Sequence, residues 1–273
     1  MNVKSINDLN KNFLTVVCTT NEKYMQYLYP FLASINKNCK QINVIIRLVN
    51  VTSKLSMYDN FNTFYINEVK KFDNGIIINQ EDSKNLNFLE LKDIVKNNIL
   101  GNSIFKKKEA VYCSNIKFNT INTLLYNGFK HICYLDVDTI VRKDFNNLID
   151  ITKKYDIAMF IDDNDINSYT TKYGDSYMGL NAGFMYINNT NASKVFYNIL
   201  EKKVNADIFD IEADEVEFQK LYKNSNIKMF NVSSKYKDNG PVYNFDSYMW
   251  SGQSDEKVYN TIFKDELRKY YIS

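Results

Sequence analysis

The segment His131-Ile-Cys-Tyr-Leu-Asp-Val-Asp-Thr-Ile-Val-Arg142 constrains the fold more than any other: a short apolar strand stops at two carboxylates, Asp136 and Asp138, and an apolar run follows. Side chains two apart on a strand share a face, so both carboxylates converge on the strand's end. In open α/β sheets the ligand crevice lies outside the carboxyl ends of the strands, where two anionic oxygens can seat a hard divalent cation carrying a diphosphate. The alternative is two solvated acids at a strand end. A second Asp-x-Asp, Asp163-Asn-Asp165, falls in a polar Asp/Asn/Tyr run that reads as a loop, so it is the flanking apolar residues that set the first pair apart.

Strands and helices alternate around this segment. Residues 13–18 read as a strand passing into polar Thr19-Thr-Asn-Glu22, residues 24–35 have helical spacing, and 42–51 read as the next strand, with short strands at 61–69 and 75–78. Residues 111–126 carry apolar side chains at helical spacing, stop at Asn127-Gly128 and lead into the strand of Asp136. Beyond Asp144, strands are expected at 157–161 and 184–187. The Tyr-rich connection 162–179 is long enough to be either functional or a surface insert. The alternation predicts an α/β fold with a mixed, mostly parallel sheet flanked by helices on both faces.

The formal net charge is +2, and the lysines are scattered rather than striped, which argues against a nucleic-acid partner. Cys18, Cys39, Cys113 and Cys133 lack metal-ligand spacing, and Cys18 and Cys133 sit in strand-like runs as buried thiols do. No stretch has the long apolar core of a signal peptide or a membrane span, so a cytoplasmic location is expected. Lys264-Asp-Glu-Leu267 is not terminal and cannot act as a retention signal.

Four blocks in order carry a resemblance to glycosyltransferase family 8, the group of glycogenin and bacterial lipooligosaccharide galactosyltransferases. They are Thr19-Thr-Asn-Glu-Lys-Tyr24, Tyr134-Leu-Asp-Val-Asp-Thr-Ile-Val141, Asn181-Ala-Gly-Phe-Met-Tyr-Ile-Asn188 and Asp214-Glu-Val-Glu-Phe-Gln219. The resemblance implies a single GT-A domain over 1–273, with a nucleotide-binding half over about 13–145 and an acceptor-binding half with a C-terminal tail over about 146–273. It also implies a metal-dependent hexosyltransferase that takes a UDP-sugar as donor and a glycan or glycosylated protein as acceptor, with retention of configuration. Thr20 and Asn21 would bond the base or ribose and Tyr24 stack on uracil; the other reading of Tyr24 is helix packing. Lys117 would touch the diphosphate or donor sugar, or else be a solvated lysine. Asp136 and Asp138 would bind Mn²⁺ or Mg²⁺, with Asp136 and Val137 also near the nucleotide. Asn181, Ala182 and Gly183 would face the donor sugar, where small residues let backbone approach the ring. Asp214 would contact donor hydroxyls, and Glu215, at a position where the family usually has Gln, would act as base or nucleophile or be a helix-face acid.

The resemblance breaks at the C-terminal His-x-x-Gly-x-x-Lys-Pro-Trp motif, whose histidine is the family's third metal ligand. The match taken here is Met249-Trp-Ser-Gly252, with Gly252 and Lys257 left to meet phosphate, and a thioether is a poor ligand for Mn²⁺. Asp246, Gln253, Asp255 or water are the substitutes on offer, and the only histidine, His131, is expected to pack or cap. An inverting enzyme and a catalytically silent, glycosyltransferase-like binding protein are the alternatives. A nucleotidyltransferase is disfavoured, because residues 19–23 lack the glycine-rich loop. The basic, aromatic run 258–272 is either a peripheral membrane contact or a terminal helix packed on the core.

Overall fold

The computed structural model describes residues 6–21, 24–49, 76–81, 101–161, 179–206, 213–252 and 259–271. The expected strand at 61–69, the loop at 162–178 with Asp163 and Asp165, and Gln253, Asp255 and Lys257 lie outside the described residues.

Among the described residues a seven-stranded sheet runs β3-β2-β1-β4-β7-β6-β8. Its strands are β1 (Leu14–Asn21), β2 (Ile42–Val49), β3 (Ile76–Glu81), β4 (His131–Leu135), β6 (Ile157–Ile161), β7 (Leu180–Asn188) and β8 (Met229–Asn231). Only β7 runs antiparallel to its neighbours, β4 and β6, so the sheet is mixed and mostly parallel as expected. A two-stranded ribbon pairs β5 (Ile140–Val141) with β9 (Met249–Trp250).

The strands alternate between two cores. On β1, Leu14, Val16 and Cys18 join one cluster and Val17 the other; on β4, Cys133 and Leu135 oppose Ile132 and Tyr134. Burial on both faces is why these strands read as continuous apolar runs. The first face is covered by α1 (Met25–Asn38) and the C-terminal helix α6 (Thr261–Tyr271). The second is covered by α2 (Gly101–Tyr126), α4 (Asn191–Ala206) and α5 (Ala213–Lys223); a short α3 (Leu148–Thr152) follows β5.

The basic, aromatic tail packs rather than trails. Phe263 and Tyr270 are buried, Tyr29 and Tyr271 stack at 5.7 Å, and the Tyr271 hydroxyl donates to the carbonyl of Gln26. Pro30 lies inside α1 and has no N–H to give the carbonyl four residues before it, which is Gln26, so the tail satisfies the acceptor that proline orphans. No described helix is long and apolar enough to cross a membrane.

Candidate functional site

Parallel β1 and β4 end side by side, and the cleft beyond them has a volume of about 210 Å³. Thr19, Thr20 and Asn21 at the end of β1 line it together with Tyr24 at the entry to α1; Cys113 and Ser114 of α2 and Tyr134 of β4 contribute further, and Asp136, Val137 and Asp138 complete it. Thr19 and Asn21 are buried, yet Thr19 Oγ1 and Asn21 Oδ1 have no hydrogen-bond partner among the described residues. Buried polar atoms are nearly always paired, so an orphan acceptor at a cleft is a place for a ligand's donor.

Strand β4 stops at Leu135, and the two aspartates sit on the turn that follows rather than on the strand. They reach the same cleft through turn geometry, which corrects the alternation argument while keeping its outcome. The turn is pinned: Asp136 N–H donates to Gly183 O at 3.1 Å, and Thr139 N–H to Asp136 O at 3.1 Å. The Val137 side chain packs in the core.

Opposite this turn β7 is irregular. Its pairing with β6 jumps from Met159↔Met185 to Phe160↔Asn181, leaving Ala182, Gly183 and Phe184 as extra residues. Bulges of this kind re-aim backbone near functional sites. A Cβ on Gly183 would lie 2.1 Å from Asp136 Oδ2 and 2.8 Å from Lys237 Nζ, so glycine here makes room for those two side chains, a role separate from approach to a sugar ring. Asn181 Oδ1 accepts the Gly183 N–H at 3.0 Å, and Glu215 Oε1 accepts the Ala182 N–H at 3.3 Å.

Asp214, in the first turn of α5, is buried. Its Oδ1 accepts the Glu215 N–H at 3.0 Å, while Oδ2 accepts from Ser114 Oγ at 2.7 Å and Lys117 Nζ at 2.8 Å. Burial pushes this carboxyl up, but the Lys117 ammonium and the hydrogen bonds from Lys117, Ser114 and Glu215 outweigh it and hold the group below the usual carboxylate range. Lys117 also donates to Ala182 O at 3.2 Å and its side chain is 2% exposed. It is therefore not a solvated lysine; it is buried as the partner of Asp214.

Lys237 lies on the other side of Gly183. Its side chain is 5% exposed, and Nζ stands 3.5 Å from Asp136 Oδ2. The segment after it is fastened to β9: Asp238 N–H donates to Met249 O, Ser251 N–H to Asp238 O at 3.0 Å, and Trp250 Nε1 to Gly240 O at 2.8 Å. The Asp238 carboxylate accepts the N–H groups of Gly240 and Asn244. Met249, taken from the sequence as the residue in the histidine's place, is buried in the core opposite Val141. Gly252 has a left-handed φ of 66°. Lys237-Asp-Asn-Gly240 has the same His-x-x-Gly spacing with lysine first, a signal the sequence reading passed over. Of the substitutes for the histidine, Asp246 is exposed and bridges Lys143 and Lys235. His131 hydrogen-bonds Asn188 and Tyr186 at the start of β4, in keeping with packing.

Two carboxylates can bring a divalent cation to a diphosphate. Here, however, an ammonium stands beside one of the two, and among the described residues no three His, Cys, Asp or Glu side chains group as ligands. A protonated lysine has no lone pair for a metal and repels it. Among the described residues the donor set is two carboxylates with an ammonium beside one of them, which does not match the three-ligand Mn²⁺ centre that the resemblance implies.

The sequence profile of the nucleotide-diphospho-sugar transferase family matches residues 81–269, more than half of the chain. No curated protein matches. Among solved structures, the apo WbbM bifunctional glycosyltransferase is similar with a TM-score of 0.61 at 14% identity, over 98% of this chain and 51% of that one, so this chain spans about half its length. The galactosyltransferase LgtC, solved with donor and acceptor sugar analogs, is similar with a TM-score of 0.52 at 12% identity, over 94% of this chain and 96% of that one. Mouse xyloside xylosyltransferase 1 in its apo form gives 0.51 at 10% identity, over 89% and 98%. At these identities the likeness is one of fold, the GT-A fold.

Proposed function

The chain belongs to the nucleotide-diphospho-sugar transferase family, and from that premise we propose that it moves a hexose from a UDP-sugar to a glycan or glycosylated protein. The observation that carries this reading is convergence. The Thr19–Asn21 strand end, the Asp136–Asp138 turn, the Asn181–Gly183 bulge and the Asp214–Glu215 helix start, scattered along the sequence, meet in and around one cleft at the carboxyl edge of the sheet.

The chemistry divides along the cleft. Asn21 Oδ1, buried and unpaired, is suited to accept the imide N–H of uracil, with the Tyr24 ring alongside as a stacking surface. Asp136 and Asp138 take the ribose and diphosphate end. Asn181 and Glu215, tied to the bulge, take the hexose. Asp214, held anionic by Lys117, acts through position: its carboxylate fixes Ser114 in the cleft wall and the start of α5 that carries Glu215. Glu215 is the carboxylate at the sugar end, and attack by such a group followed by a second displacement is one route to retention.

Calorimetric titration with UDP, followed by a UDP-hexose panel scored for free hexose and transfer product, tests the reading. UDP binding with turnover of one UDP-hexose is expected. Binding of a nucleotide outside the diphosphate class, or no turnover of any nucleotide sugar with any sugar acceptor, overturns it.

A further inference from the structure

We propose that Lys237 is the resident cation of this site: its ammonium, beside Asp136, takes the donor's diphosphate directly, so that a nucleoside diphosphate binds without a divalent ion. The inference rests on the nucleotide-sugar reading above.

Two buried lysines flank the Asn181–Gly183 bulge, and they differ in how well they are paired. Lys117 meets Asp214 at 2.8 Å and the Ala182 carbonyl at 3.2 Å, which is a complete structural arrangement. Lys237 meets Asp136 at 3.5 Å, longer than the roughly 2.7–2.9 Å of a charge-assisted hydrogen bond. An ammonium has three donors, and burying one with a long ion pair as its one partner among the described residues is costly unless another anion arrives. The approach for that anion is past Asp136, which is 43% exposed in the wall of the cleft; Gly183, whose missing Cβ would fall 2.1 Å from Asp136 Oδ2 and 2.8 Å from Lys237 Nζ, lets the two charged groups meet there.

Nor is Lys237 a loose surface chain that happens to fold inward. Its segment is sewn to β9 through Asp238, Gly240 and Ser251, with the Trp250 indole holding Gly240, so the ammonium is preorganised. Fixed charge of this kind can neutralise a leaving diphosphate with no reorganisation at the moment of reaction. Asp136 then has a second role as the tether that aims the ammonium, and its own charge is offset before the anion enters.

The test is UDP titration of the full chain in EDTA and again in Mn²⁺, for wild type, Lys237→Ala, Lys237→Arg and Lys237→His, with melting curves as a fold control. Wild type is expected to bind in EDTA with an affinity within about threefold of that in Mn²⁺, and Lys237→Ala to lose about tenfold or more in EDTA. Lys237→Arg should retain binding. Lys237→His, which restores a neutral ligand at this place, should bind UDP chiefly when Mn²⁺ is present. Wild-type binding that requires Mn²⁺ overturns the inference while leaving the UDP-sugar reading intact, and needs no variant to fold. Undiminished binding by a folded Lys237→Ala does the same. If wild type binds neither UDP nor any other nucleoside diphosphate in either condition, both the inference and the reading beneath it fall.

Discussion

Lys117 Nζ and Asp214 Oδ2 stand 2.8 Å apart, both side chains at least nine-tenths buried, and Ser114, in the cleft wall, donates to the same Asp214 oxygen. The pair joins α2 to α5, and through the Ala182 carbonyl it also joins both to the bulge of β7. Three elements that supply the site are thus held by one buried ammonium.

Removing that ammonium leaves a buried carboxylate unpaired, and breaking such a pair costs about 3–5 kcal/mol. Lys117→Met is expected to destabilise by that order in urea unfolding, and Lys117→Met with Asp214→Leu to recover much of the loss. The acid limb follows from the sign of the shift. Asp214 binds its proton less readily in the folded state than in the unfolded, so its contribution is full above the ordinary carboxylate value of 3.8 and is lost as pH falls below it. The double variant should show a shallower decline in stability below pH 4 than wild type.

Asn21 offers the opposite balance of stability and function. Its Oδ1 is buried without a partner, so the free protein bears the cost of that group and a nucleotide would relieve it. Asn21→Leu is expected to leave the melting temperature unchanged or raise it, while UDP affinity falls about tenfold, or ~1.4 kcal/mol. A variant that loses stability and keeps its UDP affinity would show that the amide serves the fold instead.

His131 is the only histidine in the chain, which makes its titration readable. Burial lowers its pKa below 6.5; the hydrogen bond with Asn188 opposes this, and Lys130 adds to it. With the folded value depressed, the unfolded state takes up the proton first, so stability is full above about pH 6.5 and declines as pH falls through that value. Chemical unfolding at pH 7.5 and 5.5 should show a loss at the lower pH that His131→Gln lacks. A change of equal size in the variant would assign the loss to carboxylates.

Much of this was legible in the sequence where residues carry their own period. The strands of β1, β2, β4, β6 and β7 and the helix before β4 are found around the apolar runs that predicted them, because strands buried on both faces carry few polar positions; the ends differ, with β1 continuing through Thr19–Asn21, which read as loop, β7 beginning at Leu180 and the helix at Gly101. The end of β4 was legible too, since Asp136 breaks an apolar stretch. What the sequence hid was pairing across distance. Nothing local marks Lys117 as the buried partner of Asp214 rather than a solvated lysine, and lysine among many lysines concealed Lys237, although its spacing to Gly240 was present to be read. The bulge is equally silent, because one irregular step in a register is set by both strands and neither sequence states it. The basic, aromatic tail was ambiguous for a related reason: the alternation that attracts a membrane surface also packs Phe263 and Tyr270 on α1.

Gly183 is where fold and site make the same demand, and it gives the sharpest substitution. Its role is not a positive φ but space: the missing Cβ would fall 2.1 Å from Asp136 Oδ2 and 2.8 Å from Lys237 Nζ, well inside contact distance. The lysine end is flexible and can withdraw, whereas Asp136 is pinned by its N–H to the Gly183 carbonyl and by the turn to Thr139. Gly183→Ala should therefore rotate the Asp136 carboxylate and break its pairing with Lys237 while leaving the strands in register. Overpacking of this size costs about 1–3 kcal/mol, a loss the fold is expected to survive. UDP affinity should fall about tenfold or more in the folded variant, because the two charged groups at the diphosphate end move together. Unchanged affinity in Gly183→Ala would mean that neither Asp136 nor Lys237 meets the nucleotide, and the diphosphate would have to be sought elsewhere in the cleft.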